Sequence, residues 1–377
     1  MADWTALAGT HRFSTGDEQR ATAAAEALSA YGFALVTATP SRLGPGWMVT
    51  AWDEGPYPAD AVGHRQIEAV GHAAAAVVRP YGGLLDGGTR SDPAMLLTLQ
   101  DLARNASVIR TNAGARPPVP EITPVPSPPS VPLALEPDGA TAGDIELPGL
   151  RDVRWAELRH AHGSAEDVPE LLLTLAGPDG DWAPALDKLL GDNLLHQGSC
   201  YPATAPALPF LTRLITCGAV PAHRRLDLYV GLLVAADCLL ADLLADPFGS
   251  GPQHEPWALE VHRAAGEQVG DLIARWDAEP PRIRLVLACL AALFPEPGRR
   301  LAPQIAALAA DAEGTSQGAF LNLAHALATG DETRAENLAA GIVAWDEASE
   351  PAWLEAPDVT TAVRAGHVLA DGVLRVL

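Results

Sequence analysis

A chain of 377 residues is long enough for more than one hydrophobic core, and its net charge of -22 repels phosphate backbones and anionic membrane surfaces while favouring basic partners. The charge is uneven: residues 1–112 sum to -3, residues 113–150 to -4 and residues 151–377 to -15. An acidic balance also serves solubility, so charge by itself does not select a function.

The first turn of a helix over Gly16–Ala30 is marked by Asp17 and Glu18, followed by an alanine-rich run and Leu28. Gly32 ends it, and Phe33–Thr37 reads as a strand. A turn through Pro40 to Pro45 leads to a second strand, Trp47–Trp52. Pro58 and Asp60 open a helix over Ala61–Val78, whose Ile67, Val70, Ala74 and Val77 follow the three-four spacing of one buried face. The run Gly82–Gly88 reads as a structural turn, because it lacks the lysine and hydroxyl of a phosphate loop and carries Asp86. A further helix is expected over Pro93–Asn105. Residues 1–112 therefore read as a small α+β domain, and the order helix, strand, strand, helix is half of a ferredoxin-like sandwich.

Over residues 13–90 this segment resembles the family of ribonuclease E inhibitor B, the regulator of ribonuclease activity B. The likeness is carried by Gly32-Phe33, Trp47-Met48-Val49, Gly82-Gly83 and Asp86-Gly87. Where the family usually has an aromatic residue before the aspartate and a tryptophan after the glycine, this chain has Leu85 and Gly88. The resemblance implies a small acidic protein-binding module and not a catalyst.

Eight of the sixteen residues from Pro117 to Pro132 are proline, which fixes φ and withholds a backbone donor. Residues 113–150 are accordingly expected to be a semi-rigid linker. From residue 151 to 377 the chain reads as helix after helix. Val168-Pro169-Glu170-Leu171-Leu172 is echoed by Leu208-Pro209-Phe210-Leu211-Thr212 forty residues on, and again by Ala302-Pro303-Gln304-Ile305. Helix starts recurring at ~40–47 residues are the mark of stacked helix pairs. Two later pairs are expected, Arg282–Phe294 with Pro303–Asp311 and Gly318–Ala328 with Glu332–Trp345.

The helical region resembles bacterial HEAT-like repeat proteins, through Trp155–Gly163 with Asp167-Val168-Pro169 and through His196-Gln197-Gly198 with Tyr201–Ala205 and Leu208–Leu211. The resemblance implies a concave scaffold for protein recognition. The fold class expected is thus multidomain: a ferredoxin-like α+β domain, a proline-rich linker and an all-α HEAT-like repeat domain.

Candidate chemistry is sparse. On a helix Glu157 and His160 would share a face, but His162 would point elsewhere, so a metal reading is not favoured. His196 precedes Cys200 by four residues, the reach of a base and a thiol on one helix, but Gly198 and Pro202 make the segment a loop. His64 and His72 lie eight apart on one helix and read as exposed polar residues. No catalytic residue, cofactor or metal is expected. Partner-contact candidates are His196, Gln197 and Tyr201 in an inter-repeat loop, and Asp346, Glu347 and Glu350 in an acidic cluster.

The longest apolar run, Leu226 to Leu244, is broken by Asp227, Asp237 and Asp242, so it reads as a buried helix and not a membrane span. The Met1-Ala2-Asp3-Trp4 start has no signal-peptide pattern, and the four cysteines show no CxxC spacing; both readings suit a cytoplasmic protein with reduced thiols. The function expected is non-enzymatic protein binding, with an immunity- or antitoxin-type inhibitor of a basic, nuclease-like target as its sharper form. The alternative is a helical-repeat enzyme or binder acting on a small molecule or nucleic acid.

Overall fold

The computed structural model describes residues 6–41, 46–59, 61–91, 103, 106–112, 116–119, 125–135, 144–178, 181–245, 256–346, 349, 352–355 and 359–377. The chain divides into two compact units, residues 1–125 and 126–377. The first is a small antiparallel sheet with helices, and the second is all-helical apart from one two-residue hairpin.

In the first unit the order is β1 (Ala6–Thr15), α1 (Glu18–Tyr31), β2 (Leu35–Pro40), β3 (Trp47–Pro58), α2 (Ala61–Val78), β4 (Leu84–Ser91) and β5 (Val108–Thr111). The strands pair antiparallel in the order β4-β1-β3-β2-β5. Asp17 caps α1 by accepting the Arg20 N–H at 2.8 Å, and Gly32 ends it at φ 128°. A side chain at Gly32 would be strained by that φ and would meet the Arg116 carbonyl oxygen at 2.6 Å, so glycine is required. Phe13, Val36, Ala38, Val49 and Ala51 of the sheet pack with Leu28, Ile67 and Val70 of the helices.

Two expectations for this unit change. Strand β1 went unread, because Gly9-Thr10-His11-Arg12 interrupts any alternation of apolar and polar residues. The glycine-rich run is not a turn throughout: from Leu84 it becomes β4, its backbone paired with β1. Glycines carry no side-chain pattern, so only the partner strand reveals the pairing. The helix expected at Pro93–Asn105 lies outside the described residues, apart from Ala103 in helical conformation.

The second unit begins with part of the proline-rich stretch. Residues 126–135 lie along the helices: the Pro129 carbonyl accepts the Ser316 N–H at 3.1 Å, and the Ala134 carbonyl accepts that of Arg282 at 3.1 Å. The buried Gln317 amide donates to Ser130 Oγ at 2.9 Å and accepts the Val131 N–H at 3.1 Å. Prolines supply few donors, so this segment is held through its carbonyls and the residues between prolines.

The hairpin β6 (Arg159–His160) and β7 (Gly163–Ser164) follows, then α3 (Val168–Ala176), α4 (Trp182–Leu186) and a π-helix over Asp187–Leu194. The remaining helices are α5 (Thr204–Thr216), α6 (Ala222–Ala245), α7 (Pro256–Ile273), α8 (Pro281–Leu293), α9 (Pro295–Gly298), α10 (Ala302–Asp311), α11 (Ser316–Thr329), α12 (Glu332–Trp345), α13 (Ala352–Glu355) and α14 (Thr361–Val376). Helices α8, α10, α11 and α12 match the extents expected for the two later pairs, but α10 and α8 both pack mainly on α11, so the first of those pairs is not formed as expected. One continuous core runs from Leu150 to Val373, with α8 buried nearly all round.

The proposed echo does not mark equivalent positions. Pro169 and Pro303 sit in first turns, where the missing donor is harmless, but Pro209 is inside α5. Helix α14 packs against α6, α8, α11 and α12, contacts that stacking of sequence neighbours alone does not produce. No described helix is long and apolar enough to cross a membrane. All four cysteines are free thiols, with Cys200, Cys238 and Cys289 buried.

Close packing sets one test. A Cβ on Gly298 would lie 1.9 Å from the Ala291 carbonyl oxygen, a backbone atom that cannot rotate away. Gly298→Ala is expected to destabilise the helical unit by about 1–3 kcal/mol in urea unfolding, as overpacked cores do. A loss below about 0.5 kcal/mol, the level of an ordinary surface substitution, would show that α9 shifts freely on α8.

Candidate functional site

The loops around β6–β7 and the π-helix gather the polar residues that the sequence singled out. His160 is buried, its Nδ1 accepting the His162 N–H at 3.0 Å and its Nε2 lying 3.1 Å from Asp167 Oδ1. With Nδ1 accepting, Nε2 is the donor to the carboxylate. Asp167 Oδ2 in turn accepts from Asn193 Nδ2 at 2.9 Å, and the Asn193 carbonyl accepts the Ala161 N–H at 3.1 Å. These bonds tie the hairpin to the π-helix at positions next to His162 and Asp192.

His162, Asp192 and His196 come together as a result: one ligand atom from each lies within 4.8 Å of the others. The two imidazoles meet edge to face with ring centroids 5.1 Å apart. Asp192 Oδ2 also accepts from Lys188 Nζ at 3.1 Å, and Lys188 is the chain's single lysine. That hydrogen bond, then the ammonium charge, hold the exposed Asp192 carboxyl below its ordinary range. Two neutral imidazoles and an anionic carboxylate are the donor set of a borderline transition-metal ion.

The expected partners of His160 and His162 are corrected accordingly. Trp155–Glu157 is a single 3₁₀ turn and the chain then enters β6, so Glu157 and His160 do not share a helix face. Glu157 instead pairs with Arg154 at 2.9 Å. Asp192 was missed, although its place four residues before His196 was a usable signal. The structure brings His196 into the cluster, while Tyr201 offers its N–H to Thr204 Oγ1 at 3.0 Å. The Gln197 side chain lies outside the described residues.

Cys200 is buried, and its thiol interacts with that of Cys238, which lowers it and raises Cys238. Cys238 also donates to the Gly198 carbonyl at 3.2 Å, and the Cys200 carbonyl accepts from Trp257 Nε1 at 2.8 Å. These contacts hold the loop after His196 onto α6 and α7.

In the acidic cluster near the end of the chain, Asp346 is held by Arg375 and by Ser349 Oγ at 3.0 Å. It borders a cavity of about 320 Å³ lined also by Phe320, Trp345 and Gly372. Glu347 and Glu350 lie outside the described residues.

A second polar centre surrounds the buried pair Arg225 and Glu279. Arg225 Nε reaches both oxygens of Glu279 at 3.1 Å and its Nη2 reaches Oε2 at 2.6 Å; Arg275 Nε adds a 2.7 Å bond to Oε1. Arg284 donates to the Trp276, Asp277 and Glu279 carbonyls. Three arginines thus serve the α6–α7–α8 junction against one carboxylate. No family model matches the chain, and no curated protein or solved structure matches it.

Proposed function

We propose that this is a non-enzymatic protein-binding protein whose helical unit takes a basic partner, and that its sharper role is immunity- or antitoxin-type inhibition of a nuclease-like target. The observation that carries the reading is the Arg225–Arg275–Arg284 junction. It holds the buried Arg225 and the half-buried Arg275 and Arg284 around the buried Glu279, engaging three of the basic groups of residues 151–377, whose charge sums to -15. Acidic side chains such as Glu170, Asp187, Glu260, Asp271, Asp311 and Glu332 remain exposed. A field of one sign steers an oppositely charged partner and penalises phosphate backbones.

The finer fold reading belongs with this proposal. The strand order β4-β1-β3-β2 supports a ferredoxin-like first unit, in line with the likeness to the ribonuclease E inhibitor B family. The packed helices of the second support a HEAT-like array closed by α14, and the cytoplasm is the compartment proposed.

Affinity capture from the native host at low and high salt, followed by a direct titration of the captured protein, tests the reading. One basic protein should be recovered at low salt. Its dissociation constant should rise at least about tenfold from 0.1 M to 1 M salt, as the screening length falls from about 10 Å to about 3 Å. Equal affinity at both would overturn the electrostatic basis.

A further inference from the structure

We propose that His162, Asp192 and His196 form a three-ligand site for a divalent transition-metal ion of the zinc type. The reading goes beyond partner binding and depends on a separate part of the helical unit. Two histidine nitrogens and one carboxylate oxygen suit zinc, cobalt or nickel, whereas magnesium and calcium want an all-oxygen shell. Tetrahedral bonds of about 2.0–2.1 Å place neighbouring ligand atoms about 3.3 Å apart. The three donors already lie within 4.8 Å, and the exposed His162 ring can close the remaining gap by side-chain rotation. With three protein ligands on an open edge, the fourth position is left to water or to an external group.

The frame behind the ligands separates this cluster from a chance meeting of surface groups. Each ligand-bearing segment is fixed one or two residues away from its ligand. His160 accepts the His162 N–H and is itself held by Asp167; Asn193, next to Asp192, is fully buried and bonded to both Asp167 and Ala161. Leu195, preceding His196, is held by its N–H to the Leu190 carbonyl at 2.9 Å. The π-helix supplies the local geometry, as such i→i+5 segments do at many functional sites. Lys188 occupies one carboxylate oxygen of Asp192 and leaves the other available.

The test uses the full chain, free of any affinity tag and stripped with a chelator. Zinc(II) is titrated in competition with a chromophoric chelator, and cobalt(II) is added separately to read the visible absorption of a four-coordinate site. One equivalent of zinc per chain is expected. His162→Ala and His196→Ala should each weaken binding at least about tenfold, since loss of even an outer partner costs that much. His223→Ala, which alters an exposed histidine on α6, should leave affinity unchanged. Circular dichroism confirms that the variants fold, as expected for side chains that are exposed or half-buried. No zinc binding by the wild-type chain, or full binding by a His162→Ala/His196→Ala double variant, would overturn the proposal. A loss in His223→Ala equal to that of the site variants would overturn it too.

Discussion

Replacing Glu279 by Gln is expected to lower the stability of the helical unit by about 3–5 kcal/mol, the usual cost of breaking a buried ion pair from one side. The Glu279 side chain has no exposed surface and that of Arg225 is 1% exposed. Glutamine keeps the shape but removes the charge that two guanidinium groups share, and it turns an amide donor toward them. Arg225 cannot reach solvent, so its charge would remain buried against a neutral group. The neighbouring Tyr229 hydroxyl, 3.3 Å from Glu279 Oε1, is pushed above its ordinary range by burial and by that carboxylate. Urea unfolding followed by circular dichroism measures the loss. A change under about 1 kcal/mol would mean that the junction relaxes or hydrates readily.

Acid should destabilise the sheet unit through His11. Its ring lies on β1 beside Gly71 of α2 and 5.7 Å from Phe33, and its Nε2 is buried with no partner among the described residues. Burial, reinforced by the nearby His72, lowers its pKa from 6.5 to about 4. The unfolded chain therefore takes up a proton near pH 6.5, whereas the folded unit resists until about pH 4. Stability is fully present above pH 6.5 and falls progressively between the two values. At about 1.4 kcal/mol for each unit separating them, the loss reaches about 3 kcal/mol. Asp53, raised by its burial, works in the opposite direction as it takes up its proton. Comparison with His11→Phe isolates the histidine: urea midpoints measured from pH 7 to pH 4 through the tryptophans of β3 should fall more steeply in the wild type. Parallel curves for the two proteins would show that His11 is not the acid-sensitive group.

These two groups also mark the limits of sequence reading. His11 sits in the strand that was missed, where its neighbours gave no apolar alternation, and its burial depends on β3, β4 and α2 packing around it. Arg225 follows Arg224 and looks like one more solvated charge, yet its partner is 54 residues away. By contrast, Ile67, Val70 and Ala74 declared the buried face of α2, with only Val77 replaced by Val78 in the core.

Local signals were enough for α1 and α2, for the strands at Phe33–Thr37 and Trp47–Trp52, and for α8, α10, α11 and α12, because those signals lie within a few residues of one another. It also named His162 and His196. Long-range packing makes the glycine run a strand, lays residues 126–135 along helices, and sets Asp192 between two histidines 34 residues apart. Periodicity and caps report the local chain, whereas strand pairing, buried ion pairs and ligand clusters arise from packing between distant segments.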